Sequence, residues 1–397
     1  MATITELPTA APAASPPPRV AGLFAGIGGV ELGMHRAGHR TSLLCEIDPA
    51  AQTVLRARFP GVEVVDDIKN IPELPEVDVV TAGFPCQDLS QAGQTSGIAG
   101  SRSGLVGQVF RLLRAADPKW IVLENVPFML QLDRGRAMRH LTAELGRLGF
   151  RWAYRVVDAR AFGLPQRRQR VILVASRRDD PCRVLFPDEA GQPPEQDHRG
   201  RANGFYWTEG VRGLGWAADG VPTLKGGSTI GIPSPPAVWM PDGLVGTPHI
   251  TDAERLQGFD AGWTEPAAGS GTRGLGARWK MVGNAVSVPV AAWVGERLRD
   301  PGSYRPGIEV PLAEGNPWPR AAHGHGEEAL SVEISMWPVR RPYQHLGDFL
   351  SHPLAPLSIR AAEGFLARAE RGSLRFPFGL LEAVRSQAIS MRGARAA

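Results

Sequence analysis

Apolar and polar positions along the first 180 residues separate into two recurring patterns. Short runs of mostly apolar residues occur at Val20–Phe24, Thr41–Ile47, Val62–Val65, Val77–Ala82, Trp120–Leu123 and Val171–Ala175. Runs of that length, bounded by turn residues, read as buried strands. Between several of them, apolar residues return every three or four positions, at Val30–Ala37, Ala50–Phe59, Val106–Ala116 and Arg136–Leu148. That spacing gives a helix one apolar stripe to bury. Strands alternating with amphipathic helices predict an α/β fold built on a doubly wound parallel sheet.

Elsewhere the pattern changes, and the changes suggest boundaries. Residues 1–18, Pro/Ala-rich over 7–18, read as a disordered leader ahead of a domain spanning 19–176. Residues 177–250 are rich in Gly, Pro and Trp and show little periodicity, as expected of a small irregular lobe. Regular pattern resumes over 251–300, at Thr251–Phe259 and Trp279–Leu298. Residues 301–397 begin with a Pro/Gly-rich linker and continue into helix-like stretches such as Ile359–Arg371. This last segment reads either as a stabilising helical extension or as a docking surface for a partner.

Composition narrows the class. A chain of 397 residues with 43% hydrophobic and 21% charged residues is long enough for two or three domains with a substantial core. No apolar run approaches the ~20 residues of a membrane span, and the N-terminus lacks a basic-then-apolar secretory pattern. Cys45, Cys86 and Cys182 are too few and too scattered for a disulfide framework or a zinc site, so no metal is expected and a reducing, cytoplasmic setting fits. The net charge is only +4, yet 40 of the 44 basic residues are Arg. Arg suits phosphate forks and guanine edges, although a GC-rich genome also yields such a bias.

The candidate chemistry lies at strand ends. Gly83-Phe-Pro-Cys-Gln87 follows the Val77–Ala82 run, which puts Cys86 on a turn where open α/β sheets hold their ligands. A cysteine there is either a nucleophile or a small buried hydrophobe. Phe24-Ala-Gly26-Ile27-Gly28-Gly29 follows the first strand and opens a helix, leaving free N–H groups beside a close backbone approach. Glu31 occupies the third-glycine position of a dinucleotide fingerprint, which counts against NAD or FAD. Glu46 and Ile47 end the second strand, where an acid can accept from ribose hydroxyls, and Asp48-Pro49 reads as a helix start. Asp67 and Ile68 end the third and suit an adenine amino group beside an apolar side chain. Glu124 and Asn125 end a further strand on the Cys86 edge; a buried Glu can hold a proton for a ring nitrogen. In Gln166-Arg-Arg168-Gln-Arg170 the alternate arginines share one face of an extended segment, either as an anion clamp or as a solvated charge run.

Taken in order, these blocks resemble the cytosine-5 DNA methyltransferase family over roughly residues 20–295. The run continues with Arg255-Leu-Gln-Gly-Phe259 and Gly283-Asn284-Ala-Val-Ser-Val-Pro289. The resemblance implies a Rossmann-like methyltransferase sheet, with residues 177–250 as the target-recognition region. It implies S-adenosylmethionine lined by Phe24, Gly26, Ile27 and Gly28, by Glu46, Ile47, Asp67 and Ile68, and by Pro85, Leu105 and Asn284. It also implies double-stranded DNA as partner, attack by Cys86 on C6 of a flipped cytosine, assistance from Glu124 at N3 and the amino group, and support of the nucleotide by Arg168. Gln87, Ser90, Arg170 and Thr223 would contact DNA, and Gln87–Gly104 would form a loop closing over it. The setting implied is restriction-modification or phage defence on the nucleoid, with a companion restriction or defence protein as the sharper reading of 301–397.

Two positions depart from the family pattern. Its usual acidic residue before Leu23-Phe24 is Gly22 here, and its usual Arg-Glu pair before Arg255 is Thr251-Asp252. A tRNA cytosine methyltransferase of similar fold and a catalytically inactive relative are the competing readings. Asp88-Leu-Ser90 after the cysteine argues against the first, and intact Cys86, Gln87, Glu124 and Arg168 against the second. An amino-methylating enzyme would need an Asn/Asp-Pro-Pro-aromatic motif, and Asn316-Pro-Trp318 lacks the second proline.

Overall fold

The structure, a computed structural model, describes residues 16–85, 104–227, 235–269, 271–313, 315–326 and 328–396. Strands β1 (Arg19–Leu23), β2 (Arg40–Cys45), β3 (Glu63–Val65), β4 (Val79–Ala82) and β5 (Trp120–Asn125) are parallel and lie in the order β3-β2-β1-β4-β5. Each expected strand is found, displaced by two residues or fewer at each end. Helices α1 (Gly29–Arg36), α2 (Pro49–Arg58), α3 (Leu105–Ala115) and α4 (Arg136–Arg147) also follow the sequence pattern. Asp48 caps α2 by accepting from the N–H of Ala50 at 2.9 Å, with Pro49 at the first helical position.

The sheet departs from the expected all-parallel form beyond β5. Strands β6 (Arg151–Asp158) and β8 (Gln169–Ser176), with the two-residue β7 (Gln166–Arg167) between them, follow α4. β8 lies between β5 and β6 and runs antiparallel to both. The segment of β6 was not anticipated. Its inward residues Trp152, Tyr154 and Val156 alternate in the usual way with Ala153, Arg155 and Val157, but every one of them is buried, because both faces are covered. On one face Leu23, Val80, Leu123 and Leu173 pack against α3 and α4; on the other, Val20, Val79, Val122 and Val174 pack against α1 and the C-terminal half of the domain.

Between β8 and the return to the main domain lies a lobe with strands β9 (Asn203–Phe205), β10 (Val221–Pro222), β11 (Ala237–Trp239) and β12 (Val245–Thr247). β10 pairs with β7 in a separate two-stranded sheet and so ties the lobe to the segment leading into β8. Helices α6 (Ile250–Leu256), α7 (Gly271–Asn284) and α8 (Val288–Arg299) follow, after the short α5 (Cys182–Leu185) at the start of the region. Within the regular stretch Trp279–Leu298 the residues after Pro289 are helical as expected, in α8, while its first residues end α7; Pro289 fits the first turn of α8 and not a helix interior. Gly33 of α1 lies against Ala291 and Ala292 of α8, closely enough that a side chain there would collide.

Residues from 301 onward form no separate extension. Strands β13 (Glu309–Pro311), β14 (Ala321–His325) and β15 (Glu328–Val332) continue the large sheet beyond β6, giving ten strands in the order β13-β15-β14-β6-β8-β5-β4-β1-β2-β3. Past the short α9 (Leu346–Phe349), β16 (Ala355–Pro356) pairs with β12 and completes a four-stranded antiparallel sheet in the lobe. Helices α10 (Ile359–Arg371) and α11 (Leu380–Ala396) then bury Phe365, Leu380 and Val384 against Phe205, Ala237 and Val245. The helical stretch expected at Ile359–Arg371 is therefore present, but as part of the lobe's core. Arg155, fully buried in β6, donates to the carbonyls of Leu185, Asp188 and Ser335 and to Glu189, stitching the late segment onto the sheet. Truncation after Asp300 should therefore yield protein that aggregates or unfolds without a cooperative transition. A soluble 1–300 fragment melting in one transition by circular dichroism would contradict this integration.

Candidate active site

Parallel register sets the site. Leu23, Ala82 and Leu123 are aligned across β1, β4 and β5, and Cys45 and Val65 continue that line. The residues immediately after these positions therefore share one edge, at the point where the strand order reverses between β1 and β4. A cavity of about 840 Å³ opens there. Its walls include Phe24, Gly26, Ile27, Glu46, Ile47, Asp67, Ile68, Pro85, Leu105, Glu124, Arg170, Thr223 and Asn284, thirteen of the residues named from sequence. Cys86, Gln87, Ser90 and the rest of the segment up to Ser103 lie outside the described residues.

At the first strand end the backbone is wound tightly, with positive φ at Phe24 (56°), Gly26 (57°) and Gly28 (82°). The Gly26 N–H donates to Glu46 Oε2 at 2.8 Å and the Asp48 N–H to Oε1 at 2.8 Å, so both carboxylate oxygens are fixed at the second strand end. Asp67 caps a short 3₁₀ turn through the Lys69 N–H at 3.0 Å. Ile47 is 68% exposed on this wall although apolar. Phe24, Ile27 and Ile68 flank the same space. An acid at one strand end, a second acid at the next, and an open apolar surface between them fit an adenosine moiety.

Two of the sequence-derived assignments are placed differently. Gly28 does not line the cavity: its Cα faces Phe59 and Leu55 of α2, and any side chain there would collide with the Phe59 ring. Its lack of a side chain lets the loop pack against α2. Arg168 is likewise withdrawn from the cavity. Its guanidinium is fully buried and donates to the carbonyls of Leu224 (2.9 Å), Gly283 (3.2 Å) and Ala285 (2.5 Å). Burial pulls its pKa down, with the charge of Arg170 adding to the effect. The sharing of one face between Arg168 and Arg170 fails because Arg168 sits in the break between β7 and β8, where the strand does not continue.

Arg170, at the start of β8, is the arginine of the cavity. Its Nε donates to Glu124 Oε1 at 2.8 Å, with both side chains nearly buried. The register explains the pairing, since β5 and β8 are antiparallel neighbours at this end. Next to Glu124, the Asn125 amide donates to the Phe84 carbonyl at 3.1 Å while its oxygen accepts from the Val126 N–H. The carboxylate strand thereby anchors the turn that leads through Pro85 to Cys86. In the sequence, Asn125 is marked only by its place beside Glu124 at the strand end.

From the lobe, Thr223 donates to the Arg167 carbonyl at 2.8 Å. Lys225 and Tyr206, neither singled out from sequence, also border the cavity, with the Lys225 ammonium 3.7 Å from the Tyr206 ring centroid. Lys225 and Gly226 press against Gly283 and Asn284 so closely that neither glycine admits a side chain.

Glu31 was unexplained by the sequence pattern beyond its clash with a dinucleotide fingerprint. It is 1% exposed, and a side chain at Gly22 would collide with its carboxyl. Glu31 thus fills the space left beside β1 by the missing acidic residue. Thr81 Oγ1 donates to its Oε1 at 3.0 Å. Burial pushes its pKa up to about 7.

This strand edge, with its cavity at the switch point, is the architecture of a Rossmann-like methyltransferase. Schizosaccharomyces pombe Dnmt2 methyltransferase, at 17% identity, superposes over 71% of this chain and 98% of its own with a TM-score of 0.51, which shows the fold alone. A family model for C-5 cytosine-specific DNA methylases matches residues 19–204. The Type II methyltransferase M2.BsuMI of Bacillus subtilis (strain 168) is 53% identical over 365 residues, spanning 89% of this chain and 93% of its own. The Type II methyltransferase M.NlaX of Neisseria lactamica is 37% identical over 178 residues, 44% of this chain and 56% of its own. The chain belongs to the C-5 cytosine-specific DNA methylase family. Enzymes of this family use S-adenosylmethionine as methyl donor. Among the described residues, no helix is long and apolar enough to cross a membrane.

The raised pKa of Glu31 carries a signed expectation. A folded-state pKa of about 7 against an ordinary 4.5 means the folded form holds a proton that the unfolded chain has released. Stability therefore falls as pH rises from about 4.5 to about 7 and levels off above. In Glu31→Gln this part of the decline should vanish from melting temperatures measured between pH 5 and 8; an unchanged slope would contradict the buried neutral carboxyl.

Proposed function

We propose that the chain methylates C5 of a flipped cytosine within one specific double-stranded DNA sequence, as the modification enzyme of a restriction-modification or phage-defence system on the nucleoid. The Type II relatives support the setting, and a companion restriction or defence protein belongs to the same proposal. The observation that carries the chemistry is the Glu124–Arg170 pair facing the cavity beside the turn that leads to Cys86.

Phe24, Gly26, Ile27 and Leu105 would enclose the donor, with Glu46 accepting from its ribose and Asp67 from its adenine amino group beside Ile47 and Ile68. Pro85 and Asn284 would close the end nearest the base. Bound S-adenosylmethionine supplies an electrophilic methyl group to C5. The Cys86 thiolate would add to C6, forming a C6–S bond and moving the ring electrons toward C5. Glu124 would accept from the exocyclic amino group and hold a proton at N3, countering the charge that builds in the ring. Arg170 keeps that carboxylate aimed at the base and, with Gln87, Ser90 and Thr223, would hold the flipped nucleotide. Loss of the C5 proton to a base and cleavage of C6–S then restore the aromatic ring and the thiolate. The extrahelical position exposes C5 and C6, and the walls exclude water from the adduct. Arg168 supports this arrangement from behind, by joining the lobe to the Gly283–Ala285 turn.

Duplex DNA carrying 5-fluorocytosine at the target should trap a covalent adduct, since fluorine cannot leave as the C5 proton does. Cys86→Ser should bind S-adenosylmethionine normally yet form no adduct and transfer no methyl; transfer by that variant would overturn the nucleophile assignment. The two arginines should separate cleanly. Arg170→Ala should lose on the order of 100-fold in kcat while still folding cooperatively, at a melting temperature lowered by the unpaired Glu124 carboxylate. Arg168→Met should lose about 3 kcal/mol of stability by leaving buried carbonyls without their donor. The reverse outcome, measured by radiolabelled methyl transfer and thermal unfolding, would return the catalytic role to Arg168.

A further inference from the structure

The loop between β9 and β10 stands at the cavity rim and is held from behind by a helix outside the family's matched region. Arg368 of α10 donates through Nη2 to the Trp207 carbonyl at 2.7 Å and through Nε to the Glu209 carbonyl at 3.1 Å. Gly210, with φ of 123°, sits against Phe365 and Ala369, and Gly372 at the end of α10 against the backbone of Gly210 and Val211. A side chain at Gly372 would collide with that backbone, and at Gly210 the positive φ disfavours one. The loop is closed on itself by hydrogen bonds from the Tyr206 N–H to the Leu214 carbonyl (2.8 Å), the Glu209 N–H to the Tyr206 carbonyl (3.1 Å) and the Gly210 N–H to the Gly213 carbonyl (2.9 Å), and Arg368 takes the outward carbonyls of Trp207 and Glu209.

From the same loop, Glu209 pairs with Lys225 at 2.7 Å, and Lys225 borders the cavity. A continuous set of contacts thus runs from Arg368 through the loop backbone and Glu209 to the cavity rim. At the loop's tip, Val211 is 43% exposed and Arg212 beside it is exposed. An arginine and an apolar side chain next to each other on a rigid turn suit a guanine edge and a thymine methyl. Base readout requires such groups to be held in place, and a guanidinium fork on two backbone carbonyls does that better than a single ammonium.

We propose that Arg368 is a positioning residue for target-sequence discrimination, fixing residues 207–213 as a loop that reads base edges in the DNA. The inference rests on the proposed methylation of DNA. It makes α10 a working part of target recognition although Arg368 lies 159 residues beyond Glu209 in the chain.

The test uses the full-length enzyme, with its recognition sequence first obtained by bisulfite sequencing of plasmid from an expressing host. Duplexes carrying that sequence and its single-base variants are then compared by kcat/KM. Arg368→Ala should lower the ratio of cognate to variant by tenfold or more and raise KM for the cognate duplex. Its kcat at saturating DNA and its affinity for S-adenosylmethionine should stay within twofold, with Arg368→Lys falling between it and the wild type. A ratio within twofold of wild type in folded Arg368→Ala overturns the proposal, as does a loss confined to kcat or cofactor affinity. Should the alanine variant be insoluble, Arg368→Gln and the tip variant Arg212→Ala decide: an unchanged ratio in both overturns it, and a lowered ratio in both supports it. Absence of cytosine methylation by the wild type would instead overturn the functional reading beneath it.

Discussion

A single buried cation holds the walls of the cavity together. Arg168 reaches the carbonyl of Leu224 in the lobe and those of Gly283 and Ala285 at the end of the helical return, from the break between β7 and the catalytic strand β8. Burying a guanidinium is costly unless its donors are met, and here two of its three nitrogens bond backbone oxygens, which cannot move away without unfolding their own segments. Gln166, two residues earlier, repeats the logic: it donates to the Leu256 carbonyl and accepts from the Leu224 N–H. The relative placement of sheet, lobe and helical return is therefore fixed by side chains that never face the ligand.

That division of labour explains what could and could not be read from the chain. The β1–β5 half was legible because parallel strands buried on both faces give unbroken apolar runs, and because each turn following them carries its own polar signature. The cavity residues followed, since strand ends in register must share an edge. Gly28 and Arg168 lie off the cavity wall for one reason. A motif names residue types, and a glycine or arginine within it serves packing as readily as chemistry. Only the break before β8, invisible as periodicity in so short a stretch, decides which arginine turns inward. Tyr206 and Lys225 lie in a segment with no period at all, where tertiary contacts alone set their direction.

The late segment was the least legible part. β13–β15 are short, contain Gly and Pro, and pair with one another or with β6, so each strand's burial depends on partners far away in sequence. Their composition resembles a linker because much of one face is open. Helix α10 was visible by its stripe of Ala362, Phe365 and Ala369, but the stripe says only that something covers it. What covers it is the lobe, whose own residues are too irregular to announce a missing face.

The threading of the last strands through both parts has a consequence for how the enzyme is born. Chains emerge from the ribosome in order, and domains fold as their residues become available. The lobe's four-stranded sheet lacks an edge until Ala355 and Pro356 have been made, and its core lacks one wall until α10 and α11 follow. The parallel strands are made far earlier, but the large sheet they belong to closes only with β13–β15, and residues of the lobe wall their cavity. Chemistry and target choice thus mature together, and only full-length synthesis supplies either.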